Sequence, residues 1–273
     1  MKLSIITVNL NNCDGLQKTI DSVVAQTFKD FEWIVIDGGS TDGSRELIEQ
    51  YSEHFAYWVS EPDKGIYNAM NKGIKVARGE YLQFLNSGDW LCDDQVLSSV
   101  FANPVNDDVV YGNYGLWSEK DNDFYVENVP DELSISFLVD HWIGHGASFM
   151  RRELFKDKLY DERLRIVSDW KFFIECALNN KSFRRCDLVV MKFGKDGISV
   201  VEQDRVAKER AAVKDEIVPR LLRNDLQKMD EYESDVKMME LRQFKKKNKF
   251  YRRIIHFTLR VIKFLDSFHS GKS

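Results

Sequence analysis

Two short runs constrain this chain more than anything else in it: Leu3-Ser4-Ile5-Ile6-Thr7-Val8 and Phe31-Glu32-Trp33-Ile34-Val35-Ile36. Both are dominated by apolar and β-branched residues and show no clean two-residue alternation. A strand wetted on one face would alternate. These runs read instead as strands covered on both faces, as in a parallel sheet flanked by helices. Between them, Asn11 to Asp14 can cap a helix whose apolar positions Leu16, Ile20, Val23 and Val24 share a face. The pattern continues with a helix near 45–53, a strand at 57–60, a helix at 66–77 and a strand at 81–85. Strand and helix in alternation predict an α/β domain with a mainly parallel sheet.

After Asp89 the rhythm changes. The sequence predicts a helix over 91–101 and short strands at 108–111, 115–118, 124–127 and 148–151. A helix over 168–178, a strand at 188–193 and a charged, helical pattern from about 201 to 268 follow. The expected organisation is a body over 1–200, in halves of about 1–95 and 96–200, and a helical extension over 201–273. Disorder of the whole chain is excluded, because 18 Phe, 10 Tyr and 6 Trp supply ample surface to bury.

Cys13, Cys92, Cys176 and Cys186 form no CxxC pair, which argues against a structural zinc site. They are expected as buried thiols in a reducing cytoplasm. No run of about 18 apolar residues exists to span a membrane, and Leu3–Val8 is too short for the core of a signal peptide. Charge is unevenly spread. Residues 242–273 carry ten basic side chains and one acid, so a chain of net charge −5 has −14 on its first 241 residues. Within 245–268, Lys245-Lys246-Lys247 precedes apolar residues at helical spacing, among them Ile254, Ile255, Val261, Ile262 and Leu265. Such a basic amphipathic segment suits an anionic membrane surface, placing the protein on the inner face of the plasma membrane. The same face could instead pack on the body or pair two copies in a homodimer. Nucleic acid is not expected as a partner, since the acidic body repels phosphates.

Ligands of open parallel sheets bind beyond the carboxyl ends of the strands. Three polar clusters stand at three such ends: Thr7-Val8-Asn9, Asp37 with its glycine pair, and Asn86-Ser87-Gly88-Asp89. Asp37 and Asp89 directly abut buried strands, which is costly for an acid that is neither paired nor liganded. Asn12 and Asp42 read more simply as cap and turn residues. Asp89 is a hard carboxylate suited to Mg2+ or Mn2+, and Mg2+ takes few protein carboxylates alongside water and phosphate.

These motifs resemble family 2 glycosyltransferases of the GT-A fold. The resemblance rests on Ser4-Ile5-Ile6-Thr7-Val8-Asn9 and on Asp37-Gly38-Gly39-Ser40-Thr41-Asp42-Gly43. The run Ser60-Glu61-Pro62-Asp63-Lys64-Gly65-Ile66-Tyr67-Asn68-Ala69-Met70-Asn71-Lys72-Gly73 is similar to a bacterial subset. Phe84-Leu85-Asn86-Ser87-Gly88-Asp89 stands where the family carries a D-x-D metal motif, with Ser87 in place of the first Asp. The resemblance is dense over 3–95, thinner over 140–175 and absent after about 200.

It implies donor-binding roles for Thr7, Val8 and Asn9, with Thr7 and Asn9 against the nucleoside. It implies Asp37 at the base, usually uracil, and Asp63 and Lys64 near the donor. Ser87 and Asp89 fall at the diphosphate, with Asp89 holding Mg2+ or Mn2+. Asp169, in the first turn of its helix, matches the family's catalytic base. His145 and Trp142 fall on the acceptor side. The implied reaction is inverting transfer from a nucleotide-sugar, usually a UDP-sugar, to a saccharide or lipid-linked saccharide. A sugar nucleotidyltransferase would want a Gly-rich, basic loop after the first strand, where this chain is Asn-rich. A non-catalytic nucleotide-sugar or glycan-binding module is favoured by Ser87 and opposed by Asp89 and Asp169.

Overall fold

The computed structural model describes residues 1–118, 123–194, 201–228 and 231. The chain divides into two compact units, Met1–Ile217 and Val218–Ser273. In the second unit the described residues are helical over 220–228. The basic segment 245–268 lies outside the described residues. No helix among the described residues is long and apolar enough to cross a membrane.

The two apolar runs are the centre of the first unit. β1 (Leu3–Asn9) is buried along its whole length. It pairs in parallel with β2 (Phe31–Asp37), in a register that sets Asn9 opposite Asp37. β4 (Tyr81–Phe84) pairs in parallel on the other side of β1, and β3 (Tyr57–Ser60) pairs in parallel with β2. The order β3-β2-β1-β4 steps one way through β2 to β3, then returns past β1 to β4. Right-handed crossovers put α1 (Cys13–Val24) and α2 (Ser44–Gln50) on one face and α3 (Ile66–Val76) on the other. The sheet therefore reverses between β1 and β4, where ligands of doubly wound folds bind.

The sheet continues with β8 (Ser148–Arg151), antiparallel to β4, then β6 (Val109–Ser118), β9 (Phe183–Gly194) and β5 (Asp89–Leu91). β7 (Asp123–Glu127) forms a hairpin with β6. Here the local sequence pattern is overruled. The helix expected over 91–101 is only α4 (Val96–Val100), because Asp89, Trp90 and Leu91 pair with β9 and Asp93 makes a turn onto the Gln95 amide. The two strands expected at 108–111 and 115–118 are one. β6 runs through Gly112 and Gly115, where an added Cβ would lie 2.6 Å from the Val190 side chain and 2.9 Å from Phe124 respectively. These glycines admit close neighbours rather than turns. β9 begins at Phe183, five residues before its apolar run, because its first residues pair in parallel with Val109 to Tyr111 of β6.

Gly79 has a comparable role at the entry to β4. Its amide donates to Ser4 Oγ at 2.8 Å. A Cβ there would lie 2.4 Å from the backbone N of Ser4 and 2.5 Å from the carbonyl carbon of Leu3. Backbone of a central strand cannot yield, so Gly79→Ala is expected to cost about 1–3 kcal/mol. Urea unfolding reads this as a lower midpoint with an unchanged slope.

Candidate active site

Asn9 and Asp37, opposite each other at the ends of β1 and β2, start the site. Asn9 Nδ2 donates to Asp37 Oδ1 at 2.7 Å. The same carboxylate accepts from Ser40 Oγ (2.5 Å), Ser40 N (2.9 Å), Gly39 N (3.2 Å) and Ser60 Oγ (2.6 Å). Burial opposes its charged form, but these donors outweigh burial and hold its pKa below the ordinary carboxylate value. Asp37 is fully buried. The structure thus places it inside the loop as the acceptor that fixes the ends of β1, β2 and β3, not on the ligand-facing surface. Thr7 is likewise turned inward, its hydroxyl accepting from the Trp33 indole at 3.0 Å. Val8 is buried, and its carbonyl accepts from the Ser87 amide at 3.0 Å.

What faces outward is Gly38. A Cβ on it would stand 2.7 Å from Asp63 Oδ2 and 3.2 Å from Leu10 Cδ1. Asp63 Oδ1 accepts from the Gly65 amide at 2.8 Å, which aims the other oxygen over Gly38. Leu10 is 58% exposed. Gly38 is thus flanked by the apolar Leu10 side chain and covered by one Asp63 carboxylate oxygen. Lys64 is exposed and its amide donates to Asn68.

The Asn86–Asp89 turn sits at the end of β4. Asn12 caps α1 through the Gly15 amide and holds the turn through the Ser87 carbonyl at 3.0 Å. Thr19 donates to the Asp89 carbonyl at 2.7 Å, and Gly88 adopts φ +95°. Asp42 accepts from the Cys13 and Ser44 amides and serves the loop, as its sequence context suggests. Two buried acceptor atoms at this edge have no partner: Asn9 Oδ1 and Asn86 Oδ1. Sequence reasoning overlooked Asn86 as a site residue, although it lies inside the motif.

Among the described residues no three His, Cys, Asp or Glu side chains gather into a metal cage. The side-chain oxygens carried by the turn belong to Asp89, Ser87 and Asn86. One carboxylate with neutral oxygens fits a hard divalent ion that arrives largely coordinated by diphosphate and water.

A second cluster surrounds Asp169, in the first turn of α6 (Ser168–Leu178). The Tyr67 hydroxyl, from the first turn of α3, lies 2.7 Å from Asp169 Oδ1 and 2.5 Å from the Ile166 carbonyl. His145 Nδ1 is 3.9 Å from Asp169 Oδ2. Its Nε2 is 2.8 Å from the Tyr160 hydroxyl, and its ring stacks on Phe84 at 4.8 Å. Phe84 ends β4, so the Asp169 cluster rests on the strand that delivers the Asn86–Asp89 turn. Burial lowers the His145 pKa, against the pull of the Asp169 charge. Burial, then the same charge, raises the Tyr67 and Tyr160 phenols well above their ordinary value. His145 and Tyr67 are thus neutral neighbours of Asp169, while the Arg210 charge also acts on it. Trp142 packs on Tyr114 at 5.0 Å, and Phe193 lies 6.1 Å from it, opposite Asp89 in the β5–β9 ladder. Tyr67 went unassigned in the sequence; a polar hydroxyl on the buried face of an amphipathic helix was its available signal.

A mainly parallel sheet that reverses at β1 and β4, with polar side chains at the reversal, defines a GT-A-type nucleotide-sugar fold. Solved structures agree on the fold. S. aureus TarS in complex with UDP-GlcNAc superposes with a TM-score of 0.61 at 21% identity, covering 74% of this chain and 61% of that one. A mannosyltransferase of Pyrobaculum calidifontis in complex with GDP-Man and Mn2+ gives 0.59 at 16% identity, covering 76% and 61%. The present chain thus spans about three fifths of either neighbour. In sequence, an uncharacterized glycosyltransferase of Mycobacterium tuberculosis is 36% identical over 183 residues, covering 64% of this chain and 69% of the relative. A PGL/p-HBAD biosynthesis glycosyltransferase of Mycobacterium bovis is 33% identical over the same length, covering 64% and 70%. Residues 4–159, more than half of the chain, match the model of glycosyl transferase family 2. The chain belongs to that family and is a glycosyltransferase.

The His145 shift has a defined sign. Native His145 is neutral and holds its proton less tightly than the unfolded chain, whose value is about 6.5. Its contribution to stability is complete above that value and is lost as pH falls through the folded pKa. Melting temperature is expected to drop as pH falls from about 8 to 5, with a shallower slope in His145→Gln. Equal slopes in calorimetry would remove His145 as the source.

Proposed function

We propose that this glycosyltransferase transfers a sugar, with inversion, from a UDP-sugar to a hydroxyl of a saccharide or lipid-linked saccharide, with help from a divalent ion. The observation that carries the reading is the pairing of two clusters on one strand. β4 leads into the Asn86–Asp89 turn, and its Phe84 carries His145 beside Asp169.

On the donor side, the base lies against Leu10 beside Gly38, and Asp63 Oδ2, held over Gly38, accepts its imide N–H. Asn9 Oδ1, buried and unpartnered, is left to accept from the nucleoside. Asp37 contributes by fixing this surface, so the base-reading role expected of it passes to Asp63. Asp89, with Ser87 and Asn86, would hold Mg2+ or Mn2+, which supplies neutralisation of charge on the departing diphosphate. Lys64 is exposed beside Asp63 and available to a phosphate.

On the acceptor side, Asp169 accepts the proton of the attacking hydroxyl. The single Tyr67 proton stabilises the carboxylate beforehand. After proton transfer Tyr67 turns it to the Ile166 carbonyl and accepts from the new Asp169 acid. Neutral His145 leaves the carboxylate unpaired by any cation at that side. One base behind one nucleophile, opposed to the leaving group, gives inversion. Trp142 offers an aromatic face to the acceptor ring. UDP-GlcNAc in the TarS complex supports the donor class, and PGL/p-HBAD biosynthesis in the Mycobacterium bovis relative's description supports a role in building a larger product. Segment 245–268 brings the enzyme to an anionic membrane on the strength of its charge and spacing.

Calorimetric titration of UDP tests the donor half. Binding is expected to require Mn2+ and to weaken at least about tenfold in Asp89→Ala and in Asp63→Asn, as loss of a charged hydrogen bond predicts. Asp169→Asn should bind UDP normally and lose about 10²–10⁴-fold in turnover. No UDP binding with or without Mn2+ would favour the binding-module reading or another nucleotide, and full turnover by Asp169→Asn would remove its role as base.

A further inference from the structure

We propose that α7 (Gln203–Ile217), far beyond the family-matched residues, belongs to the catalytic apparatus, with Glu209 as a positioning residue for Asp169. The proposal rests on the reading of Asp169 as the base.

α6 starts without a side-chain cap of its own, at Val167. The segment entering it is held instead from α7. Glu209 Oε1 accepts from Arg165 N at 3.0 Å, and Oε2 from Ile166 N at 3.0 Å and Val167 N at 3.3 Å. Three amides on one carboxylate are charge-assisted bonds, stronger than neutral ones. The Ile166 peptide is thereby gripped on both sides, its N–H by Glu209 and its carbonyl by Tyr67. Tyr67 also touches Asp169 Oδ1. Glu209, Ile166, Tyr67 and Asp169 are one connected set, and the rotation of Asp169 about the start of α6 is fixed by it.

α7 can bear this because its own position is fixed by charge. It buries one apolar side chain, Val213, so polar contacts set its register. Lys171, 3% exposed, bridges Asp161 at 2.9 Å and Glu216 at 2.8 Å. Lys214 reaches Asp140 at 2.8 Å, and the Arg210 guanidinium lies 4.9 Å over the Trp170 ring. A helix that served only as a cover would not direct a carboxylate to three successive amides beside the base.

The test uses the full chain as Glu209→Ala and Glu209→Gln, with Asp169→Asn as reference. Hydrogen exchange at the Arg165–Val167 amides should accelerate in Glu209→Ala whatever the role of Asp169. Turnover should fall about 10²-fold with donor KM unchanged, as misplacement of a reacting group predicts. Glu209→Gln, which keeps one acceptor oxygen, should recover part of the rate. Unchanged exchange would overturn the clamp. Faster exchange with wild-type kcat would overturn its catalytic role. Full activity in Asp169→Asn would overturn the base assignment while leaving the exchange result standing.

Discussion

The carboxylate of Asp37 is the interaction on which the donor edge depends. A buried charge is tolerated only when its lone pairs are satisfied. Asp37 achieves this with five donors drawn from β1, the following loop and β3. The three strand ends therefore cannot shift independently. That rigidity lets Gly38 present bare backbone outward while Asp63 fills the space a side chain there would need. The same logic operates at the other end of the sheet. Buried Glu32 accepts from Ser4, from the Arg78 amide and guanidinium, and from the Gly79 amide, tying β1 and β2 to the entry of β4.

The part of the fold legible in the sequence is the part built from local pattern. β1 and β2 are unbroken apolar runs, α1 has its cap in Asn12, and the polar clusters punctuate strand ends. What escaped depends on partners distant in sequence. β6 reads as two strands because its glycines look like turn residues, yet β8 and β9 pair along it. Residues 89–91 join β5 because β9 lies beside them. The site shows the same division. Asp37, Asp89 and Asp169 are visible as acids at strand and helix ends. Whether such an acid faces a ligand or the interior depends on how many donors surround it. Nothing in Asp37-Gly38-Gly39-Ser40 announces that Ser60, at the end of another strand, supplies the fifth.

The electrostatics of the two halves differ in kind. The donor edge relies on short side chains and backbone, with one carboxylate at Asp89 and neutral oxygens around it. Asp169, in contrast, lies beside two groups that burial keeps neutral, with the Arg210 charge acting on it as well. Burial depresses His145 and raises the Tyr67 and Tyr160 phenols.

The two clusters also differ in what holds them in place. Residues 4–159 contain the strand ends, Asp63 and Asp89, a constellation fixed by the sheet itself. Asp169 lies beyond, on a helix without a local cap, and a helix start can rotate or fray more easily than a sheet edge. Its placement is supplied from outside the sheet, by Tyr67 of α3 and Glu209 of α7. α5 (Ile135–Asp140), α6 and α7 meet there through Asp140, Trp170 and Arg210.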